Sequence, residues 1–115
     1  MAVRSSTANA LRSFGPKAAA ALPWLIELLD DPYDGVRISA LITIGGMGAE
    51  GAPSVPKIVE LMLGSRPLVA NECAHTLGRI GPRAAAALPE LRKLVGRDGY
   101  NAIGIKHAIS AIEGR

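Results

Sequence analysis

At 115 residues the chain is one domain in length; 49% of it is apolar but only 3% aromatic, so its core must be built from Leu, Ile, Val and Ala. A single cysteine, Cys73, excludes an internal disulfide and a cysteine-based metal site. The net charge of +3 is unevenly placed: residues 27–34 carry four acids and no base, and residues 65–115 carry eight Lys/Arg against four acids, a mild basic bias short of the one-face clustering a nucleic-acid binder shows.

The opening Met1-Ala2-Val3-Arg4-Ser5-Ser6 is followed by no apolar h-region. No apolar run approaches the roughly 18 residues a membrane span needs. The expectation is a soluble, cytoplasmic protein with no membrane partner.

The chain repeats every 33 residues. Gly15, Gly48 and Gly81 share one register, as do Pro23, Pro56 and Pro89, and Leu25, Ile58 and Leu91. A fixed period of one supersecondary unit is the mark of a solenoid. In chain order, residues 3–14 carry Thr7, Ala8 and Leu11 at the positions of a second-type helix, here named B. At Gly15-Pro16, glycine ends that helix and proline starts the next turn. An Ala-rich turn then leads to a first-type helix, A, expected over roughly 23–30, 56–63 and 89–95. Pro23, Pro56 and Pro89 each mark the break before it, because proline inside a regular helix is costly.

Helix B follows a short turn. Asp34 and Ser65 are the expected N-caps of the first two full units. Val36, Ala40, Leu41 and Ile44 form one apolar stripe at helical spacing, repeated by Val69, Cys73, Ala74 and Leu77. A last B helix over 103–113 fits once its loop is two residues longer, with Ala108, Ile109 and Ile112 on Cys73, Ala74 and Leu77. The expected architecture is all-α: a solenoid of about seven helices, a half repeat plus three A–B repeats. The single repeat domain spans 1–115, with units at about 1–14, 15–47, 48–80 and 81–115.

The run from Asp31-Pro32 through Val36-Arg37 to Ala40 resembles the Asp-Pro…Val-Arg…Ala stretch of HEAT-like repeats. Ala74-His75-Thr76-Leu77-Gly78-Arg79-Ile80-Gly81-Pro82 resembles their Ala-x-x-Leu-Gly-x-Ile-Gly-Pro stretch. The short period is similar to that of the phycobilisome-lyase subclass of these repeats. The Thr-Pro-Leu-His signature of ankyrin repeats and the Trp…Leu-Gly…Tyr pattern of tetratricopeptide repeats are absent. The resemblance implies an α-α superhelix whose B helices line a concave surface.

On a helical wheel, the side of helix B opposite its apolar stripe gives rows across the repeats. Ser5, Ile38, Asn71 and Lys106 form one; Asn9, Ile42, His75 and Ser110 the next. Ser6, Ser39, Glu72 and His107 form a third, and Ser13, Gly46 and Arg79 a fourth. The expected partner-binding face is thus Ile38, Ser39, Ile42, Asn71, Glu72, His75, Arg79, Lys106 and His107. Ile38 and Ile42 are apolar in otherwise polar rows, the pattern of an interaction spot, although single apolar surface residues are also ordinary.

No catalytic, cofactor or metal site is expected. Glu72, His75 and His107 lack the His-Glu-x-x-His spacing of a zinc site and read as a solvated surface. Trp24 reads as half-buried packing on the convex side, and Cys73 as a small buried hydrophobe. Glu27, Asp30, Asp31 and Asp34 lack the spacing of a calcium loop and read as turn and cap residues. The last helix is apolar at Ile103, Ile105, Ile109 and Ile112, which points either to packing against another copy of the chain or to further repeats beyond it.

The leading functional expectation is a non-catalytic scaffold that binds another protein on its concave face. Two alternatives stand beside it. One is an accessory to pigment or cofactor attachment, by resemblance to bilin lyases. The other is weak nucleic-acid binding, disfavoured because the face offers Arg79 and Lys106 against Glu72.

Overall fold

A computed structural model describes residues 20–114. Among the described residues it is all-helical: α1 (Leu22–Leu28), α2 (Asp34–Gly46), α3 (Val55–Gly64), α4 (Pro67–Ile80), α5 (Leu88–Leu94) and α6 (Ala102–Glu113). Two 3₁₀ segments, Gly48–Ser54 and Gly81–Ala87, precede α3 and α5. The A helices are α1, α3 and α5; the B helices are α2, α4 and α6. The expected B helix over 3–14 and the Gly15-Pro16 boundary lie outside the described residues.

The three repeated prolines explain the A helices. Pro23, Pro56 and Pro89 each stand in the first turn, where the missing N–H has no intrahelical partner to lose. The Ala- and Gly-rich stretch ahead of two of them is wound as 3₁₀ helix rather than left as a simple break. Gly48 and Gly81 hold positive φ of 59° and 82° where α2 and α4 give way to these segments.

The expected caps are corrected. Asp34 is the first residue of α2, whose N-cap is Tyr33, and Ser65 lies ahead of Arg66, the N-cap of α4. Neither helix has a side-chain cap. In α4, Pro67 leads the first turn, where fewer N–H groups need a partner. In α2, Asp34 is instead drawn into ion pairs with Arg37 and Arg66. Asp31 caps the turn from outside, accepting the Tyr33 N–H at 3.0 Å. Among the described residues a true side-chain cap occurs only at α6, where Asn101 Oδ1 accepts the Gly104 N–H at 3.0 Å.

Packing follows the stripe. Val36, Ala40, Leu41 and Ile44 of α2 and Val69, Cys73, Ala74 and Leu77 of α4 are buried in one cluster with Leu25, Ile58 and Leu91 of the A helices. Each B helix packs on the A helix before it, and α4 also packs between α2 and α6. The B helices therefore lie in a row. Their flanks carry small or hydroxyl residues. Thr76 of α4 is buried and donates its hydroxyl to the Leu41 carbonyl of α2 at 2.9 Å. Gly45 faces Arg79 and Thr76, and Gly78 faces Ala108.

Units are also joined at the turns. Lys57 of α3 reaches back to Asp30 at 2.7 Å and pairs with Glu60 within its own helix. The hydrogen bond to Asp30 holds the Lys57 ammonium above its ordinary pKa, against a smaller desolvation effect. Arg66 pairs with Asp34 of the preceding unit.

Of the two glycine contacts between B helices the one at Gly78 is the closer: a Cβ there would lie 2.9 Å from the Ala108 Cα. Gly78→Ala is expected to push α4 and α6 apart and lower stability by about 1–3 kcal/mol. Gly35→Ala, with nothing within 4 Å, is expected to be neutral or to stabilise by up to about 1 kcal/mol. Urea denaturation of the two variants checks both; an unchanged midpoint for Gly78→Ala would contradict the close approach.

Candidate functional site

Because the B helices are apolar toward the A helices and small along their flanks, their remaining side chains project away from the core. Two adjoining depressions form there. One, of about 440 Å³, lies between α2, α4 and the start of α6 and is lined by Ile42, Asn71, Glu72, His75, Arg79 and Asn101 among others. The second, of about 260 Å³, runs between α4 and α6. Its walls are His75, Arg79 and His107 and its floor is Gly78, Gly104, Ala108 and Ala111. His75, Arg79 and Gly104 line both, so the two make one furrow.

Six of the nine expected face residues meet in it: Ile42, Asn71, Glu72, His75, Arg79 and His107. Ile42 is half-buried at the α2 end, and His75, Arg79 and His107 are exposed. Arg79 crosses toward α2 over Gly45: a Cβ at Gly45 would come within 3.3 Å of its Cδ. That packing reaches the guanidinium, whose Nη1 would lie 3.7 Å from the same Cβ, and so orders the side chain.

Three expected residues do not join. Ser39 is 8% exposed, and its carbonyl accepts the Thr43 hydroxyl at 2.8 Å. It occupies the same flank as Glu72 and Thr76, and in α4 that flank faces the preceding B helix; a wheel with a single buried stripe misplaces it. Ile38 is partly buried and packed against the core, so it is a packing residue more than a surface spot. Lys106 is exposed on α6 but lines neither depression.

Asn71 has an internal task as well. Its Oδ1 accepts the Asn101 N–H at 2.9 Å and its Nδ2 donates to the Gly99 carbonyl at 3.3 Å. The side chain thus pins the longer last loop against α4, at the rim of the furrow. Sequence reasoning missed Asn101, Gly104 and the Gly78–Ala108 floor. One signal was available: Gly45 and Gly78 recur 33 apart within the last turn of B helices, ahead of the glycines Gly48 and Gly81 that follow each helix, and a second glycine inside the helix is unfavourable unless something packs closely.

The last helix is less open than its composition suggests. Ile105 and Ile112 are buried and Ile109 packs against the core. Ile105 takes the place of Ala70, itself fully buried, so its bulk fills the interior. Ile103 is the exposed isoleucine of α6, at 70%. Trp24 is half-buried against the core and lines a shallow acidic depression with Glu27, Asp30 and Asp31. Among the described residues no three His, Cys, Asp or Glu side chains are placed to hold a metal, and no helix is long and apolar enough to cross a membrane.

Cys73 lies beneath the furrow, fully buried. Burial, helped by the nearby Glu72 charge, pushes its thiol from 9.0 up to about 12. The thiol is therefore an inert core group at neutral pH. Because the folded value is the higher one, the stability this group contributes is intact below pH 9.0 and is lost as pH rises toward about 12. Thiol labelling with a disulfide reagent at pH 8 is expected to be slow in the native protein and fast in urea. Rapid native labelling would contradict the burial.

With this geometry in view, comparison with known families is direct. The model for HEAT repeats matches residues 22–112, and the model for the PBS lyase HEAT-like repeat matches residues 3–31. The chain belongs to the HEAT-repeat family, whose members generally mediate protein–protein interaction. No curated protein and no solved structure shows a match to it.

Proposed function

We propose that the protein is a non-catalytic docking scaffold: a seven-helix HEAT solenoid whose B helices form a concave face that binds another protein. The observation that carries it is the furrow. Its side chains combine an apolar end at Ile42 with polar groups that make no ion pair among the described residues: Glu72, His75, Arg79 and His107. In the turns between α1 and α4, by contrast, Asp30 pairs with Lys57 and Asp34 with Arg37 and Arg66. A half-apolar, half-polar depression with unused donors and acceptors suits a protein surface or peptide.

The PBS lyase HEAT-like match supports a second reading, assistance in pigment attachment, through repeat type alone. A bilin whose absorbance is unchanged by added protein removes it.

The docking reading is tested by affinity capture from a lysate of the source cells. Wild type is compared with Ile42→Asp, His75→Glu and, on the 3₁₀ segment away from the furrow, Arg83→Glu. Circular dichroism confirms that all four fold alike. The expected outcome is a protein retained by wild type and Arg83→Glu but lost by both furrow variants. Identical captures from all four contradict the reading.

A further inference from the structure

Docking through the furrow leaves the chemistry of the docked segment open, and the charge pattern narrows it. Among the described residues Arg37, Lys57, Arg66, Arg92 and Lys93 each pair with a carboxylate. Arg79 does not. It lines both parts of the furrow, its Cδ and Nη1 lying over Gly45 of α2, and no acidic side chain lines the α4–α6 part. Glu72 is the one acid nearby, and it lines only the α2 end.

Three features make this part of the furrow complementary to carboxylates. Arg79 offers a planar fork of donors that matches a carboxylate with two parallel hydrogen bonds. Its stem lies over Gly45, so less side-chain freedom is lost on binding. His75 and His107 each present at least one ring N–H in either neutral tautomer and two when charged. The floor of Gly78, Gly104, Ala108 and Ala111 is small enough to let a main chain lie close to both helices.

We propose that the α4–α6 furrow takes an acidic segment of a partner protein, its Asp or Glu carboxylates seated on Arg79, His75 and His107. This rests on the docking reading and specifies its ligand.

The test uses three fluorescent probes: a Glu-rich peptide, the same peptide with every Glu replaced by Gln, and a single-stranded oligonucleotide. Anisotropy titrations with the full chain are expected to show the Glu peptide binding about tenfold or more tightly than its Gln twin, and more weakly as salt rises. Arg79→Gln and His107→Glu are expected to abolish that preference, while Arg83→Gln keeps it. Arg79 and His107 are exposed, so these variants fold, which circular dichroism verifies. Equal binding of the Glu and Gln peptides, tighter binding of the oligonucleotide, no binding of any probe, or a preference that survives Arg79→Gln each overturns the proposal. The capture experiment reports separately. A partner lost on Ile42→Asp with no preference for the Glu peptide leaves the docking face standing and removes only its acidic ligand.

Discussion

The close approach of neighbouring B helices is the constraint on which the rest depends. A helix buried on one stripe needs only one neighbour. A helix in a row must bury a stripe and also meet another helix on each flank, and a flank that bears large side chains holds its neighbour away. Gly78 against Ala108, Gly45 beneath Arg79, and Thr76 bonded to the Leu41 carbonyl are the solutions found here. Each replaces bulk with backbone contact or a hydrogen bond. Interiors packed at crystal-like density leave little freedom to do otherwise.

That constraint also shapes the candidate surface. With the stripe turned to the A helices and the flanks reserved for close contact, only one side of each B helix is left to project side chains. The furrow has a shallow floor because its floor is the contact itself: Gly78 and Ala108 serve both packing and access. The loop ahead of α6 is two residues longer than its counterpart, and Asn71 holds it in place through Asn101 and Gly99. Scaffold and site are therefore not separable layers here. A change at Asn71 or Gly78 would alter the fold and the furrow together.

Much of this was legible in the sequence because it is periodic. The 33-residue register placed the apolar stripe, the proline-led A helices and the small core role of Cys73, and the structure buries those residues together. The local motifs read less well. Asp34 and Ser65 have the residue types of caps, but Asp34 is drawn into ion pairs with Arg37 and Arg66, and the helices begin at neighbours instead. Ser39 looked like a surface residue because a wheel with one buried face cannot represent a helix with neighbours on its flanks. Ile105 looked like exposed surplus because it stands where another unit has Arg37, yet Ala70 in the same register is buried. What a single helix can show was readable; what depends on two helices meeting was not.

The measurement that bears most directly on the central claim is amide hydrogen exchange on the protein with and without a captured partner. The account predicts slowed exchange over residues 71–79 of α4 and 102–111 of α6, with α3 and α5 unchanged. Slowing confined to the A helices, or to the turns around Asp34 and Arg66, would contradict it.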